Sequence, residues 1–338
     1  MVRLAASLPR DFTAAVLVVH HFPGNSKSAL PSILGRSGKL PAAHPEHNEP
    51  IEPGRIYVAP PDRHMLVVDG RLHLTRGPHE NGHRPAIDPL FRTAARTLGP
   101  RIIGVLLSGA LDDGTVGMLA VKRHGGIAVV QDPEEALYSG IPGSAIERVA
   151  VDHVLPVEAI AQLLTRLTRQ PVAIPEGTQP MLPEDQEHTD PAEAGTADIE
   201  SGPLPGSPTA LTCPDCGGAI WEQVDGELVR YRCHVGHAYT ADSMVGAHAA
   251  LVEAALWTAV RALEEKAQLS RRLAERSRSR GLDRLEQRYA EAVQSAELGS
   301  NSIRHLLLNG TADPVTGQAS EAGEQVESSA SVLSGARR

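Results

Sequence analysis

The feature that most constrains this chain is a set of four short, largely apolar runs, each cut off by a polar or Gly- and Pro-bearing loop. They are Ala14–Val19, Arg55–Ala59, Ile102–Leu107 and Gly126–Val130. Continuous apolar runs of this length suit strands buried on both faces of a parallel sheet, since a sheet with one wet face would alternate. Between them, Pro89–Leu98 and Gly117–His124 carry helical spacing. The alternation predicts a doubly wound, mainly parallel α/β sheet. Met65–Thr75 departs from it. Two alternating runs there flank Asp69-Gly70, a strong hairpin signal, so an antiparallel flap is expected on one edge.

The chain has 338 residues, enough for one α/β core plus smaller modules. Its net charge of −9 and pI near 5.9 argue against a surface that tracks phosphates. An aromatic fraction of 3% leaves few platforms for base stacking. Nucleic acid is therefore not an expected partner. Met1–Pro9 has no long apolar stretch, and no later run approaches the roughly 20 apolar residues of a membrane span, so no membrane insertion is expected.

Three cysteines, all between Cys213 and Cys233, suit metal ligation in a reducing cytoplasm better than a disulfide framework. Cys213-Pro-Asp-Cys216 is followed, after sixteen residues, by Cys233-His234-Val235-Gly236-His237. Two knuckles separated by a hairpin-length segment have the layout of a zinc ribbon. Cys213, Cys216 and Cys233 are the expected thiolate ligands, with His237 as the fourth and His234 as the alternative. A closed set of four would make the zinc structural, and no cofactor is expected for catalysis.

These signals divide the chain into an α/β domain (1–168), an acidic linker (169–208) without Lys or Arg beyond its first residue, the cysteine module (209–245), a helical hairpin (246–308) and a Ser-, Gly- and Glu-rich tail (309–338). In the hairpin, Leu256, Val260, Leu263 and Ala267 form one stripe, and Leu282, Leu285, Tyr289, Val293 and Ala296 form another, with Gly281 between them. Arg271, Arg272, Arg276, Arg278 and Arg280 read as a solvated face.

Chemistry in open α/β sheets gathers at the carboxyl ends of the strands. There His21 follows the first run, Asp62-Arg63-His64 the second, and Asp112-Asp113-Gly114 the third. An imidazole that takes a proton and a carboxylate that orients it are what nucleophilic hydrolysis needs. On spacing alone the plainer reading has more weight, since Asp-Gly is usually a turn and a histidine after a strand usually a satisfied surface residue.

The strings LPRDFTAAVLVVHHFPGN, EPGRIYVAPPDRHMLV, NGHRPAIDPLF and IIGVLLSGALDDGTVGMLAVKRHGG, followed by QDPEEALYSGIPGSAI, resemble successive signature segments of the chemotaxis protein-glutamate methylesterases. The likeness spans residues 4 to 165. It implies a Ser-His-Asp hydrolase that releases methanol from glutamate γ-methyl esters of a methylated chemoreceptor or related signalling protein, and can also deamidate certain glutamines. It also implies His21 as general base, before a hydrophobic residue and Pro, and Asp113, before Gly, as the acid that orients it. His20 and Asp112 would be neighbours without a chemical role.

The sequence departs from that family at two places. The family's serine, in a Gly-x-Ser-x-Gly-Gly turn, would fall some five to six residues before Met1, and Ser7, Ser26, Ser28 and Ser108 are no substitutes. Gly109-Ala110-Leu111 stands where many members have Gly-Met-Gly. No receiver domain accompanies the esterase segments, so phosphorylation of this chain is not expected to control it. The expected function is protein-glutamate methylesterase with an upstream serine; the alternative is a binding or regulatory module without esterase chemistry.

Overall fold

The computed structural model describes residues 1–22, 27–172, 206–225 and 228–309, so most of the expected linker, nearly all of the tail and Ser26 lie outside the described residues. The chain divides into two compact units after Val245.

The first unit opens with helix α1 (Val2–Ser7) and then alternates. Strand β1 (Val16–Val18) is followed by α2 (Leu30–Ser37) and β2 (Ala42–Ala43); β4 (Ile56–Val58) pairs in parallel with both β1 and β2. A second parallel trio contains β7 (Ile103–Leu106), β8 (Ile127–Gln131) and β9 (His153–Leu155), linked by α4 (Thr115–Arg123) and α5 (Gly140–Arg148) and closed by α6 (Val157–Leu167). The four sequence-predicted strands are all present, each within a residue or two of its run. The parallel sheet, however, is in two halves: β1 ends one trio and β7 ends the other, and the two are not hydrogen-bonded to each other. Their side chains still share a core. Val16, Val18, Ile103, Val105 and Leu107 pack against one cluster built on Leu8, Leu34, Ile56, Val58, Val129 and Ile160.

The expected flap is β5 (His64–Val68) and β6 (Arg71–Thr75), turning through Asp69 and Gly70 at φ of 49° and 73°. With β3 (Glu49–Pro50) on its outer edge, it forms a separate antiparallel sheet. Its inner face, Met65, Val67 and Leu72, packs with Leu90, Phe91 and Ala94 of α3 (Ile87–Leu98). Thr93 Oγ1 accepts from the Val67 amide at 3.1 Å, and Thr97 Oγ1 donates to its carbonyl at 2.9 Å, so the flap and α3 are keyed in register. Helix α3 in turn lies tightly on α4, where a Cβ on Gly117 would come within 2.6 Å of Phe91 Cβ.

The cysteine segment is a four-stranded antiparallel meander, β10 (Ser207–Thr212), β11 (Ala219–Asp225), β12 (Leu228–Cys233) and β13 (Ala238–Thr240). It belongs to the same compact unit as the α/β layers, together with the first turn of α7 (Ala241–Arg278).

The second unit is helical: α7 from Gly246 onward, then α8 (Asp283–Asn309), with Gly281 at φ 67° between them. Val260, Ala267 and Ala296 of the expected stripes are buried, while Leu282 and Leu285 are exposed. Two of the five arginines pair with α8 carboxylates, Arg271 with Glu297 and Arg278 with Glu286. The expectation that no segment is long and apolar enough to span a bilayer needs correction: an 18-residue window of α7 has mean hydropathy 1.3. The sequence pattern hid it because the helix begins at Ala241, several residues before the expected start, and adds Met244 and Val245 to the apolar stretch.

In the loop after β7, Leu111 takes φ 58°, a left-handed conformation that a Cβ disfavours. This is the position where the resembling family often has its second glycine. Leu111→Gly should therefore raise the urea-unfolding free energy by about 1 kcal/mol, and an unchanged or lower value would show that Leu111 is not strained.

Candidate active site and metal cluster

His21 leaves the end of β1 and Asp113 the loop after β7, and the fold brings them together. His21 Nε2 lies 2.7 Å from Asp113 Oδ2, with the histidine side chain 25% exposed and the aspartate 2%. The imidazole is thus reachable while its carboxylate partner is sealed.

Asp113 is held where a buried carboxylate is best tolerated, at the amino end of α3. Oδ2 also accepts from the Ile87 amide at 2.7 Å, and Oδ1 accepts from Asn81 Nδ2 at 2.9 Å. Free amides and the helix dipole both favour an anion there. Burial works against ionisation, but the His21 hydrogen bond and charge, the Ile87 amide and Asn81 outweigh it and hold Asp113 well below the usual carboxylate range. Gly114, the next residue, adopts φ 96° to start α4; a Cβ would meet Leu106 and Ile87 side chains at 2.6 and 2.9 Å. The Asp-Gly pair therefore starts α4 and presents a buried carboxylate at the same place.

Asp88, the second residue of α3, is also buried. Its Oδ1 accepts from the Gly117 amide at 2.6 Å and its Oδ2 from Asn81 Nδ2 at 3.0 Å. Burial and the neighbouring Asp113 charge push Asp88 upward. The two carboxylates are driven apart in acidity, with Asp113 the ionised member facing the imidazole.

Behind His21 stands His83, its ring stacked at 3.7 Å between centroids and 8° between planes. Burial first, then the His21 charge, lowers His83 to about 4, so it packs as a neutral plate. Sequence reasoning named neither Asn81 nor His83 nor Asp88, although all three lie in the quoted NGHRPAID string. Nothing in their spacing marks them as neighbours of a strand end.

Other expected site residues are placed elsewhere. His64 is fully buried, bridging the Pro78 carbonyl at 2.9 Å and the Ala86 amide at 3.3 Å. Asp62 binds Arg84 and Arg76. Asp112, expected to be idle, is buried and accepts from Thr240 Oγ1 at 2.6 Å and Ser243 Oγ at 2.7 Å. The described serines near the strand ends are engaged locally: Ser7 donates to the Arg3 carbonyl, Ser28 accepts from the Leu30 amide, and Ser108 accepts from the Tyr138 amide.

The sequence model of the family described as CheB methylesterase matches residues 1–164. A protein-glutamate methylesterase/protein-glutamine glutaminase homologue of Leptospira interrogans is 39% identical over 168 residues, covering 49% of this chain and 87% of its own length. This chain belongs to the CheB methylesterase family. The corresponding enzyme 2 of Anaeromyxobacter dehalogenans is 37% identical over 162 residues, and there the chain spans about half (48%) of the relative's length. The Thermotoga maritima CheB methylesterase catalytic domain, a crystal structure, is 32% identical with a TM-score of 0.47, covering 49% of this chain and 91% of that one. The family-model match includes both His21 and Asp113, and the cysteine module lies beyond it.

In that module Cys213, Cys216, Cys233 and His237 converge, their ligand atoms all within 4.8 Å of one another. Cys216 Sγ to Cys233 Sγ is 3.8 Å, and His237 Nδ1 lies 3.6 Å from Cys213 Sγ and 3.5 Å from Cys233 Sγ. A tetrahedron with bonds of about 2.3 Å to sulfur and 2.0–2.1 Å to nitrogen has edges of about 3.8 and 3.6 Å, so the four donors fit one ion. Two tight turns present them, with Gly217 at φ 69° and Gly236 at φ 103°. His234 stays exposed and outside the cluster. Burial pushes the Cys213 thiol up to about 12 and the Cys233 thiol upward as well.

The His83 shift has a pH consequence. An unfolded histidine titrates near 6.5 and the folded one near 4, so between those values the unfolded chain binds more protons and stability falls as pH falls. His83→Gln should remove up to about 3 kcal/mol of that loss between pH 6.5 and 4. The measurement is the difference between the two proteins' unfolding free energies across the window, since Asp88 titrates with the opposite sign; parallel curves would refute a buried neutral His83.

Proposed function

We propose that this chain carries the His–Asp half of a protein-glutamate methylesterase, with His21 as general base and Asp113 as the carboxylate that orients it. The observation that supports this most directly is the 2.7 Å bond between a solvent-reachable imidazole and a sealed, ionised carboxylate. The Nε2–H of His21 donates to Asp113, which leaves Nδ1 to accept a proton from a nucleophile. In the reaction, a serine hydroxyl attacks the γ-ester carbonyl and its proton passes to Nδ1. The tetrahedral adduct expels methanol, which takes that proton. Water, deprotonated by the same nitrogen, then attacks the acyl-serine, and the departing serine oxygen takes that proton back as glutamate is released. With a glutamine side chain the leaving group is ammonia and the steps are the same.

The fold supports a serine arriving from a strand between β1 and β7. Both strands hydrogen-bond on one side only among the described residues, and both already share a core. A parallel strand there would deliver its carboxyl end beside His21. The substrate class that the relatives' names suggest is a protein bearing methyl-esterified glutamates, and a chemoreceptor is the partner this reading assigns. Phosphorelay membership and a cytoplasmic location accord with that partner.

The reading further assigns a structural zinc ion to Cys213, Cys216, Cys233 and His237, forming a zinc ribbon over 209–245. The second reading, a regulatory module without esterase chemistry, is favoured by the local engagement of Ser7, Ser28 and Ser108.

A form bearing the upstream Gly-x-Ser-x-Gly-Gly segment should release methanol from a methyl-labelled chemoreceptor, and His21→Ala should reduce the rate by about 10⁴-fold. No methanol, or an unaffected H21A variant, leaves the module reading in its place. Dialysed protein should retain one zinc per chain, and Cys213→Ser should lose it; a metal-free wild type refutes the ribbon assignment.

A further inference from the structure

Resting on both assignments above, we propose that the cysteine module is a metal-dependent clamp on the His21–Asp113 pair, acting through Asn81 as a positioning residue. The module docks by one strand. Within β13, the Ala238 amide donates to the His79 carbonyl at 3.2 Å, and the Asn81 amide donates to the Ala238 carbonyl at 2.8 Å. Ala238 directly follows His237, a member of the metal cluster, so the docking strand starts where the cluster ends.

From there the connection runs through side chains. The Thr240 amide donates to Asn81 Oδ1 at 3.0 Å, and Asn81 Nδ2 donates to Asp113 Oδ1 at 2.9 Å. Because its oxygen is taken by an N–H, the carboxamide can only turn its NH₂ toward the carboxylates. The module thereby fixes which way Asn81 faces. Three further ties flank this one. Thr240 and Ser243 hydroxyls donate to Asp112, the residue beside Asp113. Arg148 joins Asp112 to Asp242. Arg230 of β12 reaches Glu80 at 3.6 Å, already paired with Arg92. On the metal side, Asp215 accepts from Tyr239 at 2.5 Å and pairs with His79 at 3.4 Å.

Glu80, Asn81, Asp112, Thr240 and Ser243 are all buried. A buried polar network satisfied throughout is rigid, whereas one that loses a member leaves desolvated groups without partners. A small meander with crowded thiols depends on its ion for folding. Metal loss would free β13, release Asn81 Oδ1 and loosen Asp113, so occupancy at the cysteines is read at the imidazole.

The test uses the full chain, stripped with chelator and then titrated with Zn²⁺, and follows amide hydrogen exchange and the ¹⁵N signals of the His21 imidazole. Zinc should slow exchange across 213–240 and also at Asn81 and Ile87, by about tenfold or more, while Ile56 and Val130 are unchanged. His21 should settle into a single Nε2–H tautomer. Asn81→Ala should keep the zinc protection of 213–240 but lose it at Ile87. If zinc protects 213–240 and leaves Ile87 and His21 unaltered, the clamp is wrong and the metal site stands. Protection spread evenly to Ile56 and Val130 also overturns it, as general stabilisation. If zinc protects nothing in 213–240, the metal assignment and the clamp fall together.

Discussion

The arrangement depends on one buried carboxylate. Asp113 sits at the amino end of α3 and accepts from His21, Asn81 and the Ile87 amide. Each donor comes from a different part of the fold: the end of β1, the 79–83 segment and a helix terminus. A buried anion without such partners would be pulled back to its neutral form or out to water. Anchoring the carboxylate therefore fixes the distance between the two halves of the parallel sheet on their chemical side, although no hydrogen bond joins β1 to β7.

Packing carries the same geometry on the other side. Gly104, Gly114 and Gly117 stand where any side chain would collide with Met118, Leu106 or Phe91. Helices α3 and α4 lie close enough for Asp88 to reach the Gly117 amide at 2.6 Å. A second buried carboxyl within reach of Asn81 would compete with Asp113 for charge, and its own burial pushes it toward the neutral form instead. The environment thus sorts two aspartates of similar exposure into different states, by which one faces the imidazole.

Much of this was legible in the chain. The apolar runs marked strands β1, β4, β7 and β8, because residues buried on both faces leave a continuous signature. Asp69-Gly70 marked the flap, and Gly281 marked the helix break, through the positive φ that glycine allows. The three cysteines and His237 stood out by knuckle spacing, whereas His21 and Asp113 were singled out from their neighbours by the family resemblance. What escaped was set by distance in space: His83 as a stacking plate, Asn81 as a bridge, Asp88 as a second buried acid, and Asp112 as an anchor. None has a periodicity, since their partners lie far away in the chain, as far as Thr240 from Asn81.

The sequence by itself determined the parallel α/β class, the hairpin and the order of the strands, because strand burial and turn conformation are local properties; it put histidines and aspartates at strand ends and cysteines at ligand spacing, while the choice of His21 over His20 and of Asp113 over Asp112 came from the family resemblance. Only the tertiary structure decided that the sheet lies in two halves, that Asp113 is sealed and ionised while Asp88 is driven toward neutrality, and that the cysteine module docks on the segment holding Asn81. The split in acidity and the docking follow from desolvation and from donors that converge across long loops, and both exist only once the chain is packed.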